Sequence, residues 1–124
     1  MDRKKVLMIE DDAFFAKILA QHLIAADFEV IHATNGEDGV QQAIDEQPDA
    51  IVLDVDLPKK DGFEALEELK AHPETRTIPV MMLTSLSARE DIARCFKHGA
   101  CEYFIKAHHG PEEVVKKLQA QFFA

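Results

Sequence analysis

The sequence predicts an α/β domain: a parallel sheet with helices on both faces. Three observations lead there. Five short apolar runs alternate with five segments of helical periodicity, the pattern of parallel strands joined by crossover helices. Two of the runs, Ile51-Val52-Leu53 and Val80-Met81-Met82-Leu83, are continuously apolar, as strands buried on both faces require. Four runs close on polar side chains, at Glu10-Asp11, Asp54, Thr84 and Lys106, and open α/β sheets bind ligands at the carboxyl ends of their strands.

The first strand is Val6 to Ile9, followed by Glu10-Asp11-Asp12. A helix over Ala13 to Ala26 carries Phe15, Ile18, Leu19 and Leu23 on one stripe, with Asp12 as its N-cap. Phe28 to His32 alternates as a second strand and Asn35-Gly36 breaks it. Gly39 to Glu46 reads as a helix that stops near Pro48. The third strand closes on Asp54, and Pro58 with Asp61-Gly62 makes the turn after it. Phe63 to Ala71 is helical, presenting Phe63, Leu66 and Leu69.

The fourth strand spans Ile78 to Leu83, with Pro79 tolerable only near its start. Ser87 is placed as the cap of a helix through Phe96, with Ile92 and Phe96 on one stripe and Gly99 closing it. Cys101 to Ile105 is the last strand. Gly110-Pro111 opens a final helix that presents Val114, Leu118 and Phe122. Residues 1–124 read as one domain, without linker, repeat or low-complexity tail. Periodicity leaves the strand order open.

Composition excludes some functions. The net charge of −9 argues against a basic surface for nucleic acid or anionic membrane. The apolar run after Met1-Asp2-Arg3-Lys4-Lys5 is too short for a secretory signal, and no window approaches a membrane span. Cys95 and Cys101 have no metal-ligand spacing and read as reduced, half-buried packing residues of a cytoplasmic protein.

The polar strand ends carry the chemistry. In a parallel sheet they share one edge and can converge. Three carboxylates about 5 Å apart, at an effective dielectric near 20, repel by roughly 3 kcal/mol per pair, about 10 kcal/mol together. That cluster calls for a hard divalent cation, Mg²⁺ with Mn²⁺ as a substitute. An aspartate beside such an ion and a lysine is arranged to take a phosphoryl group as an acyl phosphate.

Ile9-Glu10-Asp11-Asp12, Leu53-Asp54-Val55-Asp56-Leu57-Pro58-Lys59-Lys60-Asp61-Gly62, Leu83-Thr84-Ser85 and Tyr103-Phe104-Ile105-Lys106 together resemble the receiver domains of two-component response regulators (CheY-like). The resemblance covers essentially the whole chain, with Thr84 thirty and Lys106 fifty-two residues after Asp54. It implies a doubly wound, flavodoxin-like (βα)5 fold with strand order 2-1-3-4-5. It also implies roles. Asp54 matches the phosphoacceptor, Glu10 and Asp11 the acidic metal-binding pair, and Asp56 the residue whose backbone carbonyl completes the metal shell. Thr84 matches the switch hydroxyl, Lys106 the phosphate-pairing amine and Tyr103 the switch aromatic. The implied phosphoryl donor is a histidine kinase or a histidine phosphotransfer protein. The implied output is a protein partner on the last two helices and the strand between them, with no direct contact to nucleic acid or membrane. A signalling receiver of this kind is not an enzyme beyond its own phosphoryl transfer and slow dephosphorylation.

Three residues depart from the family pattern. Ala107 stands where proline usually follows the lysine in a cis bond, which leaves this bond trans and the loop shifted, or cis under strain. Lys60 replaces an apolar residue and is expected to be solvated near the mouth. Asp56 adds a carboxylate that would alter the lifetime of the acyl phosphate by orienting or repelling water. His108-His109 read as surface histidines. Two other functions stay open: a degenerate receiver used for phosphorylation-independent docking, to which Ala107 lends room, and a haloacid-dehalogenase-like phosphatase suggested by Asp54-Val55-Asp56.

Overall fold

The computed structural model describes residues 3–85 and 89–123. Its strands are β1 (Lys5–Ile9), β2 (Glu29–Ala33), β3 (Ala50–Asp54), β4 (Val80–Thr84) and β5 (Glu102–Ile105). The helices are α1 (Ala13–Ala25), α2 (Gly36–Glu46), α3 (Gly62–Ala71), α4 (Arg89–Lys97) and α5 (Pro111–Phe123). The strands form one parallel sheet in the order β2-β1-β3-β4-β5.

Alternation along each strand divides the core in two. Val6 and Met8 of β1 join Leu19 and Leu23 of α1 and Leu118 of α5 on one face. Leu7 and Ile9 point the other way, into the layer of Val40, Leu66, Leu69 and Cys95 from α2, α3 and α4. β3 and β4 are buried along their whole length, as their unbroken apolar runs require. Among the described residues no helix is long and apolar enough to cross a membrane.

Several boundaries differ from the sequence expectation. α2 starts at Gly36, one turn before Gly39, because the Asn35 side chain accepts from the Asp38 N–H and caps the helix instead of ending the strand. Glu29 pairs with Lys5 and Ala33 with Ile9, which shifts β2 one residue onward. β4 begins at Val80, since Pro79 offers only its carbonyl, to Ile51 N–H at 3.0 Å. Phe96 is 46% exposed, and Cys95 instead is the wholly buried residue of α4. Cys101 is exposed. The proposed Ser87 cap lies outside the described residues.

α3 starts under a capping box, Asp61 accepting from Glu64 N–H and Glu64 reaching back to Asp61 N–H. Gly62 then donates to Val55 O at 2.8 Å. A Cβ on Gly62 would stand 2.3 Å from Asp54 O and 2.5 Å from Val55 Cα, so glycine alone lets α3 dock where β3 ends. Gly62→Ala should therefore lower stability in urea by about 2–3 kcal/mol. Gly110→Ala, whose Cβ would meet only the movable Glu112 carboxylate, should cost less than about 1 kcal/mol.

Candidate phosphoryl and metal site

The parallel order brings the carboxyl ends of β1, β3, β4 and β5 to one edge. Carboxylate oxygens of Glu10, Asp11 and Asp54 lie within 4.8 Å of one another. Glu10 and Asp54 are buried, at 2% and 3% exposure, and Asp11 is exposed. The Lys106 ammonium reaches in from beyond β5, 2.5 Å from Glu10 Oε1 and 3.3 Å from Asp54 Oδ2. Two buried acids, one exposed acid and one amine thus meet at the carboxyl edge of the sheet.

Local structure aims each group. Asp12 is the N-cap of α1, accepting from Phe14 and Phe15 N–H at 3.1 Å, and its own N–H donates to Glu10 Oε2 at 3.1 Å. Asp12 therefore faces the helix while Asp11 faces the cluster. The His32 ring meets Glu10 O at 2.7 Å. Asp56 N–H donates to Asp54 Oδ1 at 3.3 Å, which puts the Asp56 backbone at the phosphoacceptor candidate. Its exposed carboxylate accepts from the Ser85 hydroxyl at 3.2 Å. Thr84 is wholly buried at the end of β4, beside Leu83, which pairs with Asp54 across the ladder. Tyr103 is buried too and shares a side-chain hydrogen bond with Thr84.

The electrostatics follow from crowding. Burial, then the Glu10 hydrogen bond and charge, raise Asp54 from 3.8 to about 8, against the pull of Lys106 and the Asp56 N–H. Burial draws Lys106 down, but Glu10 and Asp54 outweigh it and hold the ammonium above its usual value. Burial, with Cys95 and Asp91 behind it, pushes the Tyr103 phenol up to about 12 despite its bond to Thr84.

Sequence reasoning misplaces or misses five neighbours of this site. Lys60, expected to be solvated, is half-buried and pairs with Glu68 on α3. His109 is half-buried, accepting from Ile105 N–H at 2.9 Å; its partner lies four residues back in an irregular turn, which no periodicity marks. His108 is exposed, as expected. Phe15 packs against the core as its place on the α1 stripe requires, and its ring also lies under Lys106, whose Nζ stands 4.7 Å from the centroid. Ser85 stands in the Leu83-Thr84-Ser85 motif without a role of its own, and His32 reads only as the end of the second strand. The Lys106–Ala107 bond is trans, as is every peptide bond described.

The donors are all oxygen and two of the three carboxylates are buried, which fits a hard divalent cation better than zinc. A chain without the cation keeps Asp54 protonated well above the ordinary carboxylate range. A carboxyl raised from 3.8 to about 8 contributes its full stability below 3.8 and loses it as pH climbs toward 8. Asp54→Asn abolishes that loss. In metal-free buffer the variant should match the parent near pH ~4 and exceed its Tm by about 5 °C near pH ~8, and saturating Mg²⁺ should narrow the gap. Differential scanning calorimetry across that range reads the result.

Comparisons with known proteins extend over nearly the whole chain. Residues 6–119 match the response regulator receiver domain. The DNA-binding dual master transcriptional regulator RpaA of Synechocystis sp. is 35% identical over 116 residues, 94% of this chain and 48% of that protein. The chain thus spans about half the length of the curated relatives it matches. A putative response regulator from Chloroflexus aurantiacus superposes with a TM-score of 0.89 at 33% identity, over 96% of this chain and 97% of that one. The receiver domain of sensor histidine kinase PA1611 from Pseudomonas aeruginosa, solved with magnesium in its active-site cleft, gives 0.86 at 26% identity, over 96% and 97% of the two chains.

Proposed function

This chain belongs to the response regulator receiver family, and from that premise we propose that it accepts a phosphoryl group on Asp54 and passes the signal to a protein partner. The observation that carries the proposal is the Lys106 ammonium, 3.3 Å from Asp54 Oδ2 inside a cluster of carboxylates. An Asp54 oxygen attacks the phosphorus of a phosphohistidine on a histidine kinase or phosphotransfer protein. A P–O bond forms, the P–N bond breaks, and the imidazole leaves with the electron pair.

Glu10, Asp11, Asp54 and the Asp56 carbonyl are the groups that would hold Mg²⁺, or Mn²⁺ in its place. Bound there, the ion would neutralise charge on the transferring oxygens. Lys106 pairs with one of those oxygens and Thr84 donates its hydroxyl to another. Because Thr84 is also bonded to Tyr103, its movement toward the phosphoryl group frees or draws in the aromatic ring. That biases the surface of α4, β5 and α5, where the output partner docks.

The chemistry is stoichiometric signalling rather than turnover, and the place of action is the cytoplasm. Residues 1–124 serve as the receiver unit. With its charge of −9 this segment makes no direct contact with nucleic acid or membrane. The intact acidic cluster and its lysine favour this reading over a docking module that never accepts phosphate. The place of Asp54 on the third strand, behind an acidic pair on the first, favours it over a haloacid-dehalogenase-like phosphatase.

Incubation with acetyl phosphate and Mg²⁺ should add one phosphate to Asp54 by mass spectrometry, and none to Asp54→Ala. An unmodified wild-type protein at saturating donor overturns the proposal.

Asp56 and Ser85 should set the lifetime of the aspartyl phosphate as a bonded pair. Asp56→Asn and Ser85→Ala are each expected to change its decay about threefold or more, and the double variant no further. Phosphate release after removal of donor measures it, and additive effects would show that the two residues act separately.

A further inference from the structure

We infer that His109 is a positioning residue for the phosphoryl site, holding the turn from which Lys106 projects. The inference rests on the receiver reading for the purpose of Lys106, but its geometry stands apart. Among the described residues β5 is an edge strand, paired only with β4. At its end, Lys106 N–H donates inward to Thr84 O at 2.8 Å. The neighbouring polar groups of Ile105 face the open side, and the turn folds back to meet them. Ile105 O accepts from His108 N–H and His109 N–H, both at 2.9 Å. Ile105 N–H donates to His109 Nδ1 at 2.9 Å.

That bond selects the tautomer. Nδ1 also lies 3.2 Å from Ile105 O, but this carbonyl already has two donors while the amide requires an acceptor. Nδ1 is therefore the unprotonated nitrogen and Nε2 bears the hydrogen, on the side of Glu113 Oε2 at 3.9 Å. The ring stands edge-on to Phe104, centroids 5.8 Å apart at 80°, so a buried core residue fixes its plane.

Lys106 lies inside the loop that this ring closes. Ala107 after it is exposed and carries no side chain able to anchor the turn. The ammonium must nonetheless stay 2.5 Å from Glu10 and 3.3 Å from Asp54. Within the turn, the His109 ring is the side chain that ties the loop back to the strand, and its hydrogen bond fixes the backbone one residue before Lys106.

Two variants separate the hydrogen bond from simple packing. His109→Asn places an amide oxygen where Nδ1 stands and keeps the acceptor; His109→Leu keeps bulk without one. By NMR of the unphosphorylated protein, amide exchange at Ile105 and Lys106 should quicken about tenfold in the leucine variant and stay within about threefold of wild type in the asparagine variant. Phosphorylation of Asp54 by acetyl phosphate with Mg²⁺ should slow about tenfold in His109→Leu and recover in His109→Asn. In a Lys106→Ala background, His109→Leu should slow it no further. Unchanged exchange in His109→Leu overturns the inference, as does an equal slowing with and without Lys106. If the wild-type protein takes no phosphate at all, the receiver reading fails, and the exchange rates alone decide whether His109 holds the turn.

Discussion

Like charges held close in a dry place are the constraint on which this molecule depends. Oxygens of Glu10, Asp11 and Asp54 stand within 4.8 Å of one another, and free side chains in water would move apart. They stay because each is rooted at the end of a strand in one rigid parallel sheet. The repulsion is met by the Lys106 ammonium, by a proton retained on Asp54 and, in the functional reading, by a divalent cation. Each of these partners can leave or be exchanged, so the cluster is a store of electrostatic free energy.

Backbone devices make the convergence exact enough to matter. Asp12 caps α1 and so turns Asp11 toward the site, while its N–H steadies Glu10. The Asp61 capping box and the bare Cα of Gly62 let α3 begin against Asp54 O. At β5, the ring of His109 closes the turn that carries Lys106. These contacts are short in sequence but aim groups that are far apart in it. Away from the site, Thr84 meets Tyr103 in the layer that also holds Cys95 of α4.

Much of the site was legible because strand ends are local features. A continuous apolar run closing on Asp54, an acidic pair closing Val6 to Ile9, and Lys106 closing an aromatic strand can each be read in a few residues. The misreadings came from competition between equally local signals. Asn35-Gly36 can break a strand or cap a helix, and only the partner N–H of Asp38 decides it. Phe96 has the right spacing for a buried stripe, yet Cys95 takes the core position because α4 is rotated by its packing. Lys60 reads as a solvated turn residue, but the fold brings Glu68 of α3 to its ammonium.

By itself the sequence determined the class of fold, the alternation of its elements and the kinds of groups that crown the strands. Hydrophobic period and residue type act over a few neighbours and need no knowledge of the rest of the chain. Only the tertiary structure decided which groups meet: Lys106 nearer Glu10 than Asp54, its ammonium over Phe15, Ser85 on Asp56, His109 on Ile105. Those pairings depend on strand order, helix rotation and turn path, which are settled by packing the whole core at once.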